Sequence, residues 1–228
     1  YKFSWSPIGV FRALSNDSVY LKNNKIISIP GKDLLYSAKD YKVNNALNIV
    51  VYPNRDSLKY KDLYGIPEAH SVIRGTFRYK GFCEAVSAFK DLGFLVETVP
   101  EKNISTWIDL IKQNINKNDI YDNNLINLDI LKNEKINSIM SEIGIDRNFI
   151  ISVLKNITKH QFYKNLSKTE LINRICIILE TMLFFGFLQN SKKLEPKISI
   201  LENFIKVIEP PLRLNPTDSD SVIMTIVL

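Results

Sequence analysis

The hydrophobic pattern changes character near residue 104, and this limits the folds open to the chain. Before that point, short alternating runs and short helix-spaced runs are interleaved. After it, helix-spaced runs follow one another until about Leu212. A β-rich run, Ser221-Val-Ile-Met-Thr-Ile-Val-Leu228, then resumes. A helical block with β-containing flanks on both sides predicts an insertion into one α/β unit. The expected class is α+β (mixed α/β). Its parts are a mixed-sheet domain beginning in 1–100, an all-helical domain inserted at 101–212, and a strand over 213–228 that returns to the first domain. The 228 residues are 45% hydrophobic and 11% aromatic, enough for a sizeable core and incompatible with disorder throughout. Tyr1 is not an initiator methionine, and the last residues read as a core strand with no turn after it. A piece of a longer polypeptide is therefore expected.

Local signals place the elements. Ser6-Pro7 opens a helix through Ile8–Leu14, with serine at the N-cap and proline at the first helical position. Asn23-Asn24 joins the strands Val19–Lys22 and Lys25–Ile29 as a two-residue hairpin, because asparagine tolerates positive φ. Leu47–Tyr52 reads as a buried strand, followed by a short helix capped by Asp56 or Ser57 and stopped at Gly65. His70–Tyr79 alternates as a strand with His70, Val72, Arg74, Thr76 and Arg78 on one face. A helix over about Gly81–Leu92 turns Phe82, Val86, Phe89 and Cys83 inward, with Gly93 as its stop. Further on, Ser105 and Asp146 are candidate caps, and Ser167-Lys-Thr-Glu170 is a capping box ahead of Leu171–Phe185. Pro196 opens a last helix toward Ile208, ended by Pro210-Pro211.

Composition excludes several functions. The two cysteines, Cys83 and Cys176, cannot build a disulfide framework and are expected as buried small hydrophobes. With two histidines, His70 and His160, no metal site is expected. The longest apolar stretch, Cys176–Leu188, is interrupted by Glu180, Thr181 and Gly186, so no membrane span is expected. No signal-peptide pattern opens the chain, and an intracellular location follows. The chain is rich in Ile, Asn and Lys, which make up 77 of the 228 residues, and the lysines behind the net charge of +6 are scattered along it. No nucleic-acid partner is expected from such unclustered charge. No two of the eight glycines stand as Gly-x-Gly, so a dinucleotide fingerprint and a P-loop are both missing.

Arginine is the informative cation, because a planar fork is kept where two-point recognition of an anion matters. Four of the seven arginines, Arg12, Arg55, Arg74 and Arg78, fall in the first 80 residues. Tyr52-Pro-Asn-Arg-Asp-Ser57 sits where a buried strand ends, a usual place for ligand contacts. Arg55 there either clamps a carboxylate or pairs with a nearby acid to pin a turn. Arg74 beside Gly75 leans toward function, since glycine lets another backbone or a ligand approach closely. Arg78 leans toward cross-strand ion pairing on a solvent face. Trp5 and Ser6 bring an aromatic ring and a helix N-terminus together, although a tryptophan there is more commonly core. His70 reads as structural and Trp107 as helix packing.

Four blocks in order carry a resemblance: Tyr1-Lys-Phe-Ser-Trp-Ser-Pro-Ile-Gly-Val10, Tyr52-Pro-Asn-Arg-Asp-Ser57, Lys61-Asp-Leu-Tyr-Gly-Ile66 and Ile73-Arg-Gly-Thr-Phe-Arg-Tyr-Lys-Gly-Phe82. They resemble the C-terminal part of saccharopine dehydrogenase (L-glutamate-forming). Pro7 after Ser6 is nearer the dehydrogenase half of the bifunctional aminoadipic semialdehyde synthases than the free-standing fungal enzymes. The resemblance is strong over residues 1–95 and thin through the helical region. It implies an enzyme of lysine metabolism whose Rossmann half, holding NAD or NADP and the acid/base residues, is missing from this chain. It implies saccharopine, with three carboxylates, as the substrate. Hydride would leave the carbon beside its secondary amine, and water would release glutamate and 2-aminoadipate semialdehyde. Arg55 would bind a carboxylate, Arg74, Thr76 and Asn54 would line the same pocket, and Trp5-Ser6 would close it. No catalytic residue would lie in this chain. Location would be mitochondrial for an animal-type enzyme and cytoplasmic otherwise, and a homodimer stays open. The alternatives are a related amino-acid dehydrogenase and a non-catalytic interaction module on the same fold.

Overall fold

The computed structural model describes residues 2, 3, 6–42, 47–117 and 125–218. Trp5 and the run 219–228, where most of the return strand was expected, lie outside the described residues. Among those described, five strands and nine α-helices give an α+β architecture, in agreement with the sequence reading. β1 (Ser18–Lys22) and β2 (Lys25–Ile29) form the expected hairpin. Its turn residues Asn23 and Asn24 have φ of 50° and 60°, the left-handed pair that a two-residue turn between twisted strands requires. The loop from His70 holds that turn. The His70 carbonyl accepts from Asn24 N–H, and Ser71 Oγ accepts from Asn23 N–H. This gives His70 the structural role read from the sequence.

The second sheet has the order β3-β4-β5, all antiparallel, from β3 (Lys39–Tyr41), β4 (Ile49–Pro53) and β5 (Gly75–Tyr79). Parallel pairing is confined to isolated bridges such as Val19 with Asp56. The strand expected over His70–Tyr79 is shortened to β5. The last ladder pair is Pro53 with Gly75: Asn54 N–H still donates to Arg74 O, but the chain turns at Arg55 with φ of 54° and Arg74 N–H goes to Ser57 Oγ instead of back to β4. Val72 turns instead to Leu21 of the hairpin, with N–H···O bonds in both directions.

The helices are α1 (Pro7–Ala13), α2 (Lys59–Leu63), α3 (Phe82–Asp91), α4 (Trp107–Lys117), α5 (Leu128–Leu131), α6 (Glu134–Ile143), α7 (Arg147–Ile157), α8 (Lys168–Phe184) and α9 (Ile200–Leu212). α3 is the pivot. One face lies against β5 and the other against α7 and α8, and Cys83, Val86 and Phe89 are buried as expected. An aromatic cluster continues its core into the later helices. Phe94 lies 4.7 Å from Trp107 and 5.0 Å from Phe187, and Phe89 lies 5.2 Å from Phe204. Trp107 is fully buried, which makes it the packing residue it was read to be. The entry to and exit from the helical region are stitched together. Leu201 N–H bonds Val96 O, Ile200 N–H bonds Thr98 O and Leu194 N–H bonds Ser105 O. α9 then packs back on α1.

Three helix ends differ from the reading. Thr106, rather than Ser105, caps α4, exchanging bonds with Asp109. Ser199, rather than Pro196, starts α9. Its hydroxyl accepts from Glu202 N–H while the Glu202 carboxylate takes the Ser199 N–H, a second capping box. Pro210 and Pro211 occupy the last turn of α9 instead of ending it. Proline's fixed φ is helical, and there the loss is limited to its N–H. Hydrogen bonds from Ser199 hold the Glu202 carboxyl below the usual glutamate range. A depressed value stabilises the fold at neutral pH, and that share is lost as pH falls through it. Ser199→Ala is therefore expected to cost about 1 kcal/mol at neutral pH. Thermal melts at neutral and acid pH should show the gap from wild type narrowing in acid.

Candidate functional site

The end of β4 and the start of β5 bring Asn54, Arg55, Arg74 and Thr76 together. Asn54 N–H donates to Arg74 O at 2.8 Å, which locks the two segments side by side. Thr76 pairs with Tyr52 across the ladder. Arg55 adopts φ of 54°, a left-handed conformation that costs a non-glycine residue about 1–2 kcal/mol. The hairpin enforces it. The Arg55 carbonyl accepts from Val19 N–H at 2.9 Å and from Ser18 Oγ at 3.0 Å, and Ser57 N–H returns to Val19 O at 2.8 Å. Strain held in this way is a mark of functional positions.

Ser57 is fully buried, and it is the hub of the site. Its Oγ accepts the Arg74 N–H at 2.9 Å, so one residue ties the turn after β4 to the segment before β5. Asp56 Oδ1 accepts from Leu58 N–H, a bond within the turn that leads into α2. The cap expected from Asp56 or Ser57 is not formed: Leu58 holds the N-cap position of α2 with no side-chain cap bond, because Ser57 Oγ is taken by Arg74 N–H and the helix starts one residue later.

The guanidinium groups distinguish the arginines. Arg12 is held by two parallel bonds to Glu97, at 3.0 and 2.7 Å. Arg174 meets Glu84, Arg213 meets Glu209, and Arg147 bonds Leu131 O. Arg78 lies over the Phe82 ring at 5.1 Å and bonds Phe77 O, on the sheet face that packs against α3. The solvent-face position expected for Arg78 is therefore corrected: its cross-strand partner Val50 belongs to the core. Arg55 and Arg74 stand apart from all of these. Both are exposed, and among the described residues neither guanidinium makes an ion pair or hydrogen bond. The turn-pinning acid considered for Arg55 is not among the described residues. Arg74 Cζ lies over the Tyr60 ring, 4.0 Å from its centroid.

Gly75 serves the protein's own backbone. A Cβ there would come within 2.7 Å of Val51 Cγ2 and 3.3 Å of Tyr52 O, so of the two expected occupants, a backbone or a ligand, it is the neighbouring strand β4 that makes the close approach. Ser6 is exposed at the start of α1, and no hydrogen bond among the described residues joins it to the arginines. Tyr60 was missed by sequence reasoning, since a tyrosine on a short exposed helix carries no pattern of its own.

A second polar cluster, at the junction of Asp33, Tyr36, Asp91 and His160, is closed on itself. Tyr36 donates to Asp91 at 2.6 Å and stacks on His160, whose Nε2 is 3.0 Å from Asp33. Burial pushes the Asp91 carboxyl and the Tyr36 hydroxyl up, and neighbouring Tyr163 up to about 12. Asp33, Tyr36, Asp91 and His160 each have an internal partner, as suits a clamp between distant segments, while the buried Tyr163 hydroxyl makes no hydrogen bond among the described residues. Cys83 is buried, and burial pushes its thiol up to about 12, which leaves it inert.

Nor do the strand–helix turns of the described residues fit a dinucleotide. At the junction of β5 and α3, Gly81 N–H, which a phosphate would need, is taken by the Glu84 carboxylate at 3.0 Å. A buried carboxylate at that helix end repels a pyrophosphate.

The fold and the arginine pair define an α+β unit that presents cationic groups, free of protein carboxylates, at adjoining strand ends. The family model described as "Saccharopine dehydrogenase C-terminal domain" matches residues 1–228, and the chain belongs to that family. Among curated relatives, the NADP(+), L-glutamate-forming saccharopine dehydrogenase of Schizosaccharomyces pombe is 50% identical over 101 residues, covering 44% of this chain and 22% of the relative. That of Saccharomyces cerevisiae is 48% identical over 116 residues, covering 50% of this chain and 26% of the relative. The mitochondrial alpha-aminoadipic semialdehyde synthase of Bos taurus is 42% identical over 117 residues, covering 49% and 13%. A solved structure of apo saccharopine dehydrogenase (L-Glu forming) from Saccharomyces cerevisiae matches with a TM-score of 0.66 and 31% identity, covering 94% of this chain and 41% of that one. The chain thus spans about a quarter or less of the curated relatives it matches. Among the described residues, no helix is long and apolar enough to cross a membrane.

Proposed function

We propose that this chain is the substrate-binding portion of a saccharopine dehydrogenase (L-glutamate-forming) acting in lysine metabolism. In that reading, Arg55 and Arg74 receive carboxylates of saccharopine. The observation that carries it is the pair of exposed guanidiniums that meet no carboxylate among the described residues, on backbones fixed to one another through Asn54 and Ser57. Each keeps its N–H fork open for a planar anion, and a three-carboxylate substrate suits two such forks. Asn54 and Thr76 line the same pocket, and Trp5 and Ser6 approach it from the start of the chain. NAD or NADP, the fungal relatives being named for NADP(+), is held outside this chain by a Rossmann half.

The helical region, expected over 101–212, is proposed to be inserted at the stem formed by 96–106 and 192–201, with α9 returning to α1. The full-length protein is proposed to be either mitochondrial or cytoplasmic and to contact neither nucleic acid nor membrane.

The test is saccharopine-dependent reduction of NADP(+) or NAD(+) by the full-length protein, with Arg74→Gln beside it. Turnover by wild type and at least a tenfold loss in kcat/KM for saccharopine in Arg74→Gln are expected, as for a lost charged contact of about 1.5–3 kcal/mol. No turnover with either dinucleotide, or an Arg74→Gln enzyme equal to wild type, would contradict the proposal.

A further inference from the structure

We infer that Tyr60 is the positioning residue for Arg74, holding its guanidinium in order without occupying its hydrogen-bond donors. The inference rests on the reading of Arg74 as a carboxylate-binding group. A long arginine at a protein surface samples many rotamers, and ordering it costs free energy that a ligand would otherwise supply on binding. An acidic neighbour would order it, as Glu97 orders Arg12, but that pair uses the same N–H fork that a substrate carboxylate needs. An aromatic face does not. Arg74 Cζ lies 4.0 Å from the Tyr60 ring centroid, close enough for the planar cation to stack on the ring while its edge N–H groups stay free.

The arrangement is built in rather than incidental. Tyr60 N–H donates to Ser57 O at 3.2 Å, and Arg74 N–H donates to Ser57 Oγ at 2.9 Å, so the same buried serine fixes ring and arginine. The ring is backed in turn by Tyr64, 5.4 Å away at the C-cap of α2. Lys59 also approaches the Tyr60 ring, but its Nζ is 5.4 Å from the centroid, well beyond the distance of Arg74. The Tyr60 hydroxyl enters no part of this argument, which makes the ring itself the testable element.

The experiment compares steady-state kinetics of the full-length enzyme carrying Tyr60→Leu, Tyr60→Phe, Arg74→Gln and the double change Tyr60→Leu/Arg74→Gln, with a melt of each. Tyr60→Leu is expected to raise KM for saccharopine roughly threefold to thirtyfold, leaving KM for the dinucleotide and Tm close to wild type. Tyr60→Phe should behave as wild type, and Tyr60→Leu should add nothing once Arg74 is glutamine. Wild-type saccharopine KM in Tyr60→Leu, beside a clear loss in Arg74→Gln, would overturn this inference alone. So would a Tyr60→Phe enzyme as impaired as Tyr60→Leu, or full additivity in the double variant. No loss in Arg74→Gln would overturn the underlying reading as well.

Discussion

Arg55→Lys in the full-length protein is expected to raise KM for saccharopine strongly while leaving KM for the dinucleotide nearly unchanged. Lysine keeps the charge and loses the two-point fork, so the variant isolates geometry from charge. Loss of a desolvated contact to a charged group costs on the order of 2–4 kcal/mol, or roughly 30- to 1000-fold in kcat/KM. The backbone supplies a second arm. Arg55 sits at φ of 54°, held by Val19 N–H and Ser18 Oγ on its carbonyl, and those bonds do not depend on its side chain. Arg55→Gly relaxes the strained conformation and removes the guanidinium. It should therefore melt at or above the wild-type temperature and still lose saccharopine turnover. Were Arg55 a turn-pinning residue, both variants would melt lower and the surviving folded enzyme would turn over saccharopine normally.

Arg174→Met is expected to destabilise the protein by about 3 kcal/mol, the lower end of the range for breaking a buried ion pair. Glu84, at the first turn of α3, has a side chain only 5% exposed. One oxygen accepts from Gly81 N–H at 3.0 Å and the other faces Arg174 Nη2 at 3.4 Å. Arg174 comes from α8, is 23% exposed and lies over the Phe162 ring at 4.6 Å, so this pair joins the helix beneath β5 to the helical region. Without Arg174 the carboxylate is left buried with no cation. Adding Glu84→Gln should recover most of the loss, because the amide oxygen still accepts from Gly81 N–H. Melts of both variants check this. A double variant no more stable than Arg174→Met would mean that the lost packing of Arg174, and not the stranded charge, is responsible.

Features written in adjacent residues were legible. The Asn23-Asn24 turn, the Ser167 and Asp146 caps and the burial of Phe89 all follow from spacing within a few positions. The Ser199–Glu202 box carried the same signal as Ser167–Glu170, but the proline at 196 drew the helix start forward. The end of the alternating run 70–79 was hidden because it is set by the left-handed turn at Arg55 and by Ser57 Oγ taking the Arg74 N–H, not by the run itself. The site divided in the same way. Arg55 and Arg74 stand out in the sequence as arginines near strand ends, whereas Thr76 and Asn54 follow only from the family resemblance. What singles out the two arginines, the lack of a carboxylate partner, depends on which acids come near in space. The clamp between Asp33 and His160, and the stacking of Tyr60 beneath Arg74, cross 127 and 14 positions that no local spacing encodes.

The central claim is that Arg55 and Arg74 hold saccharopine carboxylates, and a crystal structure of the full-length protein with saccharopine bound tests it most directly. Carboxylate oxygens within about 3 Å of both guanidiniums, with Arg74 still over the Tyr60 ring, are the predicted result. Saccharopine bound elsewhere, with both guanidiniums left in solvent, would contradict it.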